Sequence, residues 1–187
     1  MKAAVAVPVK AFAQAKMRLS TVLGPPERAA LAAGMAERVL SAAKPLPVYV
    51  VCDDSGVASW AAAHGARVIS TPGLGLNGAV TEAVTRLRTL GYDRVIVAHG
   101  DLPLATKLAW LAEAEGITLV PDRREDGTNV ISVPSASGFR FAYGPGSLHR
   151  HMDEARRTGL DWRVVRDRQL GWDVDIPSDI VPAEITW

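Results

Sequence analysis

Cysteine is nearly absent from this sequence: the 187 residues include only Cys52, and one thiol cannot form an internal disulfide. Small proteins of oxidising compartments commonly depend on disulfides, so this scarcity favours a reducing environment. We therefore expect a cytoplasmic protein in which Cys52 is a packed thiol without a disulfide partner.

Long apolar segments are also missing. The longest apolar runs, such as residues 3–9 and Val48–Cys52, are far shorter than the about 20 residues that a helix needs to cross a bilayer. Met1 and Lys2 lead directly into the first of these runs, which is not the pattern of a signal peptide. We expect no membrane anchor and no membrane partner.

An excess of charge of either sign is the third feature that the sequence lacks. Lys and Arg number 21, Asp and Glu number 20, and the formal net charge is +1. Without a polybasic run, the chain has no large electrostatic footprint for a nucleic acid. An anionic partner should therefore be a small molecule held by a local group of cations.

What the sequence does have is the composition of an ordinary globular protein. Hydrophobic residues make up 48% and charged residues 22%, and 16 glycines and 12 prolines punctuate the chain. These values exclude disordered, collagen-like and low-complexity chains. Because a domain usually has about 100–200 residues, we expect a single domain over residues 1–187. The sequence leaves the oligomeric state open, a homodimer included.

Hydrophobic patterning predicts strands that alternate with helices. Residues 3–9 have the nearly continuous apolar pattern of a strand buried on both faces. Further strands are predicted at Val48–Cys52, Arg67–Ser70, Arg94–Ala98, 117–121, 129–133 and 162–166, with a short extended piece at 139–143. Helices are predicted at 25–44, 57–64, 80–90, 106–115 and 147–158. This order predicts an α/β fold with three layers.

Cations follow the first predicted strand. Lys10, Lys16 and Arg18 lie close together in the chain there. In open α/β sheets, ligands bind beyond the carboxyl ends of the strands, so these side chains could neutralise phosphate groups. The alternative is an ordinary solvated basic loop.

Glycines follow the third predicted strand. Residues 73–78 have the spacing G-x-G-x-x-G, with a helical pattern after them and Asp93 further on. This spacing imitates a dinucleotide fingerprint, but the fingerprint belongs to the first strand of a βαβ unit, and Pro72 intervenes here. A glycine-rich turn that brings backbone N–H groups close to a nucleotide fits better, and a plain turn is the alternative.

Acidic residues follow two other predicted strands. Asp101 comes just after Arg94–Ala98, where it would lie at the middle of the crevice or cap the next turn. Asp173 and Asp175 should project from one face of a last strand. Three carboxylates in one crevice need a cation, and a few oxygen ligands suit Mg²⁺ that also binds phosphates.

Two other groups of residues have simpler interpretations. His149 and His151 lie two positions apart on a predicted helix and point in different directions, so a metal site on this pair is not expected. Asp53 and Asp54 precede a predicted helix and are interpreted as its cap.

An ordered set of short motifs runs through nearly the whole chain. The motifs are Val7-Pro8-Val9-Lys10 with Lys16, Arg18 and Leu19; Gly75-Leu76-Asn77; Gly100-Asp101-Leu102-Pro103; Pro121-Asp122-Arg123 with Gly127-Thr128-Asn129; residues 141–147; and Asp173-Val174-Asp175-Ile176-Pro177. This set resembles the 2-phospho-L-lactate and phosphoenolpyruvate guanylyltransferase family of coenzyme F-420 biosynthesis. The chain departs from the family where His99-Gly100 stands in place of a common Pro-Ala pair.

The resemblance implies a fold and a reaction. The fold would be the nucleotidyltransferase variant of the Rossmann-like α/β/α sandwich, similar to nucleotide-diphospho-sugar transferases, with a mostly parallel mixed sheet. The reaction would transfer GMP from GTP to a small phosphorylated three-carbon acid and release pyrophosphate, with Mg²⁺ as the cofactor. Phosphoenolpyruvate is the favoured acceptor, and 2-phospho-L-lactate and 3-phosphoglycerate stay open.

The chemistry of this reaction suggests roles for individual residues. Asp101, Asp173, Lys10 and Arg18 would be catalytic, and Asp101, Asp173 and Asp175 would hold the metal. The nucleotide would be bound by Lys10, Lys16, Arg18, Gly75, Leu76 and Asn77. In this set the cations would hold the triphosphate, and the Asn77 amide would face the guanosine.

By resemblance, Thr128, Gly144 and Ser147 would bind the acceptor. Ser147 precedes a predicted helix and is also placed to offer backbone N–H groups to an anion. Two other functions remain open from the residues alone: a dinucleotide-binding oxidoreductase, built on residues 73–78, and a catalytically silent nucleotide-binding regulator.

Overall fold

The computed structural model describes residues 1–180, and within them the apolar runs form one seven-stranded sheet. The strands are β1 (Ala3–Pro8), β2 (Val48–Cys52), β3 (Arg67–Ser70), β4 (Arg94–Ala98), β5 (Ile117–Pro121), β6 (Thr128–Pro134) and β7 (Trp162–Val164). Their order across the sheet is β3-β2-β1-β4-β6-β5-β7.

The sheet is mixed and mostly parallel. Within the run β3-β2-β1-β4 each pair of neighbouring strands is parallel, and β5 is parallel to β7. Strand β6 runs antiparallel to both β4 and β5. Because β1 and β4 are parallel neighbours, their carboxyl ends open at the same edge of the sheet.

Helices cover both faces of the sheet. They are α1 (Pro25–Ala42), α2 (Ser55–Ala63), α3 (Gly75–Thr89) and α4 (Ser147–Thr158). Alternate β1 side chains enter two different cores: Val5 and Val7 pack in the core with residues of α1 and α2, and Ala4 and Ala6 pack in the core with residues of α3 and α4. This is the predicted three-layer sandwich, and β1 is buried on both faces as its apolar run indicates.

The predicted helix at 106–115 is wrong. The segment forms only a single 3-10 turn at Ala109–Ala112, on an otherwise irregular path. Its buried side chains follow a spacing of three residues, which suits a 3-10 turn better than an α-helix with 3.6 residues per turn. These side chains are Leu108, Leu111 and Ala114, and the same spacing extends back to Ala105 and Leu102 in the preceding loop.

Two extended segments that the sequence predicts are not strands. Residues 139–143 have no strand partner, and neither do Asp173 and Asp175. At the end of the segment with Asp173 and Asp175, the backbone N–H groups of Asp175 and Ile176 donate to the Asp179 carboxylate and not to a neighbouring strand. A side chain close in sequence therefore replaces the sheet partner.

Two smaller predictions are confirmed, the cap of α2 and the burial of Cys52. The Asp54 carboxylate accepts a hydrogen bond from the Val57 N–H at 2.8 Å and caps α2. Cys52 is buried in the sheet. Within residues 1–180, no helix combines the length and the apolar character that crossing a membrane requires.

Candidate active site

A cavity of about 550 Å³ opens at the carboxyl ends of β1, β2 and β4. Its wall includes the loop after β1, the first turn of α3 and the segment that follows β4, together with residues of α1, the end of β2 and Asp175. Seven of the residues predicted to bind the nucleotide or the metal line it: Lys10, Lys16, Arg18, Gly75, Leu76, Asp101 and Asp175.

Lys16 bridges two of the acidic residues. Its Nζ lies 2.7 Å from Asp101 Oδ2 and 3.2 Å from Asp175 Oδ1. The Lys16 backbone has a left-handed conformation, with φ 53°, which is uncommon for a residue with a side chain. Arg18 is mostly exposed, and its guanidinium lies 3.8 Å from Asp175 Oδ2. The predicted phosphate-binding cations therefore meet the predicted metal ligands directly.

The charges in this cluster shift the pKa values of its members. Burial favours the neutral form of Asp101, but the attraction of Lys16 outweighs it and holds the pKa of Asp101 below its ordinary value. Burial likewise opposes the charge on Lys16, yet Asp101 and Asp175 raise the pKa of Lys16 above its ordinary value. Lys16 and Asp101 therefore form a buried ion pair at neutral pH.

The pKa of Asp173 shifts upward, in the direction opposite to that of Asp101. Burial and then repulsion from Asp101 and Asp175 raise the pKa of Asp173 to about 6. Oδ1 of Asp173 and Oδ1 of Asp101 are both buried, and neither has a hydrogen-bond partner among residues 1–180. Buried carboxylate oxygens without partners cost free energy, which a bound cation would recover.

The carboxylate oxygens of Asp101, Asp173 and Asp175 are the type of ligand that a divalent cation such as Mg²⁺ prefers. They are not arranged around a common point in this structure. Among the described residues, no three His, Cys, Asp or Glu side chains are already arranged as a metal centre. The expectation that two strands assemble the three carboxylates is therefore wrong for this structure, because Asp173 and Asp175 are not in a strand and Lys16 lies between Asp101 and Asp175. Metal binding by these residues stays a prediction.

The segment that carries Asp173 and Asp175 is held by a residue that the sequence analysis missed. Asp179 is fully buried, and its carboxylate accepts backbone hydrogen bonds from Asp175 at 2.7 Å and Ile176 at 2.9 Å. The same carboxylate pairs with the guanidinium groups of Arg123 and Arg124. A 3-10 turn begins at Pro177 and ends at Asp179, so the Asp179 carboxylate can reach back to the N–H groups that precede the turn. The local signal in the sequence is a proline that starts a turn with an acid two positions later.

The three predicted acceptor residues lie close together, outside the lining of this cavity. Thr128 begins β6 and Ser147 begins α4, and the Ser147 N–H donates to the Gly144 carbonyl at 3.0 Å. Asp126 joins the two elements, since its carbonyl accepts from the Leu148 N–H and its carboxylate accepts from the Gly146 N–H.

Asn77 has a different place from the predicted one. Its Oδ1 accepts the Tyr143 N–H at 2.7 Å, and its Nδ2 donates to the Tyr143 carbonyl at 3.4 Å. Both ends of the amide thus bind the backbone next to Gly144, and Asn77 does not line the cavity, although Gly75 and Leu76 do. The run 73–78 is also not a turn throughout, because α3 already begins at Gly75.

His99 and Tyr143 connect the two parts of the site. His99 lines the cavity, and its ring lies 4.8 Å from the ring of Tyr143, between centroids. Burial lowers the pKa of His99 and so favours the neutral ring. Neither residue is predicted as functional from the sequence, although the unusual His99-Gly100 pair before Asp101 marks the position.

Comparisons with known proteins agree on one family. A family model described as guanylyl transferase CofC like matches residues 3–185. The phosphoenolpyruvate guanylyltransferase of Sphaerobacter thermophilus is 34% identical over 184 residues, covering 93% of this chain and 88% of that protein. The protein of the same name from Rubrobacter xylanophilus is 34% identical over 187 residues, covering 95% and 91%.

Solved structures show the same fold. A protein from Desulfovibrio desulfuricans G20 described as a nucleotide-diphospho-sugar transferase superposes with a TM-score of 0.75 at 19% identity, covering 94% of this chain and 84% of that one. A nucleotidyl transferase from Methanothermobacter superposes with a TM-score of 0.66 at 15% identity, covering 95% and 94%. The predicted fold class is confirmed.

Proposed function

The chain belongs to the CofC-like guanylyl transferase family and is a nucleotidyltransferase, and we propose that it transfers GMP from GTP to phosphoenolpyruvate in coenzyme F-420 biosynthesis. The names of the matched relatives support this acceptor, and 2-phospho-L-lactate is the second choice within the same chemistry. The relatives named above do not support the oxidoreductase or the silent regulator.

One observation carries the proposal: cations and carboxylates line one cavity at the carboxyl ends of β1 and β4. Lys10, Lys16 and Arg18 lie on the loop after β1, and Lys16 contacts both Asp101 and Asp175. Both substrates of guanylyl transfer are anions, so a site for this reaction needs such neutralising charge together with oxygen ligands for a metal.

In this proposal the nucleotide occupies the cavity. Lys10, Lys16 and Arg18 neutralise the triphosphate, and Gly75 and Leu76 lie against the guanosine. Asn77 belongs to the nucleotide site by position in the chain, and its contribution is to hold the first turn of α3 against Tyr143.

The proposed metal ligands are Asp101, Asp173 and Asp175. The buried, unpartnered Oδ1 atoms of Asp101 and Asp173 support this assignment. Mg²⁺ bound there would draw charge from the phosphates and stabilise the charge that develops in the transition state. Lys16, whose ammonium contacts Asp101 and Asp175 in this structure, would bind phosphate oxygens of the nucleotide.

The acceptor would bind on the Thr128, Gly144 and Ser147 side. A phosphate oxygen of the acceptor attacks the α-phosphorus of GTP, a new P–O bond forms, and the bond to the β-phosphate oxygen breaks as pyrophosphate leaves. The cationic loop reduces the repulsion between the two anions and stabilises the charge on the departing pyrophosphate. No covalent enzyme intermediate is needed.

A coupled assay of pyrophosphate release tests the proposal. Purified protein receives GTP, Mg²⁺ and, in separate reactions, phosphoenolpyruvate, 2-phospho-L-lactate or 3-phosphoglycerate. We expect release only with an acceptor and fastest with phosphoenolpyruvate, and release reduced by orders of magnitude in Asp101→Asn, which keeps the size of the side chain but removes its charge.

Other outcomes separate the alternatives. Binding of GTP with no pyrophosphate release for any acceptor would favour the silent regulator, and binding of a nicotinamide or flavin dinucleotide without Mg²⁺ would favour the oxidoreductase.

A reducing, cytoplasmic setting and one domain over residues 1–187 complete the proposal. The buried lone Cys52 and the single sheet of residues 1–180 support them.

A further inference from the structure

One buried imidazole joins two segments of the proposed acceptor site. His151 lies on α4 and is fully buried. Its Nε2 lies 2.9 Å from the backbone nitrogen of Ala142, two positions before Gly144. Its Nδ1 lies 3.0 Å from Thr128 Oγ1. The following inference rests on the proposed function, which places the acceptor beside Thr128 and Gly144.

The direction of both hydrogen bonds follows from the groups that His151 faces. The backbone N–H of Ala142 can only donate, so Nε2 must be the accepting, unprotonated nitrogen. A neutral ring then carries its proton on Nδ1, which donates to Thr128 Oγ1. Burial, with a smaller contribution from Arg150, lowers the pKa of His151 to about 4, so the ring is neutral at physiological pH.

The Thr128 hydroxyl is therefore left with one proton to donate. Its oxygen already accepts from His151, and among residues 1–180 it has no other hydrogen-bond partner. Thr128 is only 2% exposed, and a buried hydroxyl proton without an acceptor costs free energy. An anionic oxygen of a bound acceptor would remove that cost, and hydrogen bonds to charged groups are the stronger ones.

We propose that His151 is a positioning residue that makes the Thr128 hydroxyl a hydrogen-bond donor to a carboxylate or phosphate oxygen of the acceptor. By accepting from Ala142, the same ring holds the backbone that leads into Gly144, so one side chain sets the spacing between the two parts of the acceptor site. The rings of Phe139 and Tyr143 lie 5.7 and 4.9 Å from the imidazole, between centroids, and fix its plane.

The tautomer is measured first, on the wild-type protein without substrates. The ¹⁵N chemical shifts of the histidine ring nitrogens distinguish protonated from unprotonated nitrogen, and a His151→Gln spectrum assigns the His151 signals. We expect a protonated Nδ1 and an unprotonated Nε2 at neutral pH. A proton on Nε2, or on both nitrogens, overturns the inference whatever reaction the protein catalyses.

Kinetics then test the donor role of Thr128. Thr128→Val should raise the KM of the acceptor by about tenfold to a hundredfold, as expected for a lost hydrogen bond to a charged group. The KM of GTP should not change. Thr128→Ser retains the hydroxyl and should recover most of the acceptor affinity that Thr128→Val loses. Thr85→Val is the matched control with unchanged KM values, since Thr85 is exposed on α3 and bonds only within its helix.

A double-mutant comparison separates positioning from general structural support. His151→Gln can place its amide oxygen as an acceptor for Ala142, but it has no donor at the position of the imidazole Nδ1 that faces Thr128. It should therefore raise the acceptor KM in the wild type and add nothing in Thr128→Val. Equal added effects in both backgrounds, or a parallel rise in the KM of GTP, would overturn the inference. If Thr128→Val transfers GMP normally with an unchanged acceptor KM, the inference about His151 and Thr128 is wrong and the proposed function stands. If the wild type transfers no GMP, the inference and the proposed function are both wrong.

Discussion

Lys16 is the most constrained side chain of the candidate site. Its ammonium group is almost buried between Asp101 and Asp175, and its backbone is left-handed. A left-handed residue with a side chain costs roughly 1–2 kcal/mol, so the ion pairs must compensate for the strained backbone. Lys16 therefore neutralises the two carboxylates in this structure, and in the proposed function its ammonium group would bind a phosphate of the nucleotide.

The two exposed cations of the same loop give a direct test at the residue scale. Lys10→Ala and Arg18→Ala should each weaken GTP binding by about 1.5–3 kcal/mol, the usual worth of a hydrogen bond to a charged group. Steady-state KM for GTP measures the effect. Lys44→Ala serves as the control, because Lys44 is exposed before β2, at the opposite edge of the sheet. KM values equal to the control would identify an ordinary solvated loop.

Asp173 should oppose folding when it is ionised in the metal-free protein. Burial, followed by the charges of Asp101 and Asp175, raises its pKa to about 6 from the ordinary 3.8. Because the folded pKa lies above the unfolded value, the penalty is absent below about pH 4 and complete above about pH 6. A shift of this size corresponds to on the order of 3 kcal/mol, from about 1.4 kcal/mol for each pKa unit.

Asp173→Asn should therefore stabilise the metal-free protein at about pH 7.5 and lose that advantage near pH 4. Urea unfolding in the presence of a chelator measures the free energy at both pH values. Asp153→Asn is the control, since the Asp153 side chain is 76% exposed on α4. If Asp173→Asn is less stable than the wild type at the higher pH, the carboxylate is a structural group.

At the scale of elements, the segment from Asp173 to Asp179 depends on a carboxylate rather than on strand pairing. Asp179 binds two backbone N–H groups and two arginines, and the Arg123 guanidinium also stacks on Trp172 at 4.1 Å. The loop after β5 and the segment of the proposed metal ligands are thus joined through one buried charge.

Asp179→Asn should loosen this junction. Removing one charge of a buried ion cluster leaves two arginines without their partner and should cost about 3–5 kcal/mol of stability. If the segment positions Asp173 and Asp175, the Mg²⁺ concentration for half-maximal turnover should also rise. Thermal unfolding and a Mg²⁺ titration of pyrophosphate release measure the two effects, again against Asp153→Asn. A destabilised variant with an unchanged Mg²⁺ dependence would limit Asp179 to a structural role.

At the scale of the whole molecule, the strand order brings the parts of the site together. Strands β1 and β4 are parallel neighbours, so the loop that carries Lys16 and the segment that carries Asp101 meet at one edge of the sheet. Strand β6 lies beside β4 and places Thr128 next to this edge through its antiparallel direction. A single sheet therefore carries both the proposed nucleotide side and the proposed acceptor side.

Because one sheet carries both parts of the proposed site, binding of the nucleotide should raise the stability of the whole protein. GTP with Mg²⁺ at about 100 times its dissociation constant should raise the free energy of unfolding by about 2.7 kcal/mol. ATP at equal concentration should stabilise less, because the chain belongs to a guanylyl transferase family. Calorimetry with each nucleotide measures the difference, and equal shifts for GTP and ATP would contradict guanine selectivity.

The sequence by itself determined the strands of the sheet, most of the helices and the charged residues of the cavity. Apolar runs and turn residues predict each strand from β1 to β7 to within a few residues, because burial patterns are local. Charged residues that follow strands predict an anion-binding cavity and its carboxylates, since parallel strands present their carboxyl ends together.

Only the tertiary structure decided which groups meet. Asn77 binds Tyr143, 66 positions away, and Lys16 binds Asp175, 159 positions away. The roles of His151 and Asp179 also depend on partners from other segments. Side-chain partners at such separations are set by how the layers pack and by the need to satisfy buried polar groups, and neither is written in the local pattern of residues.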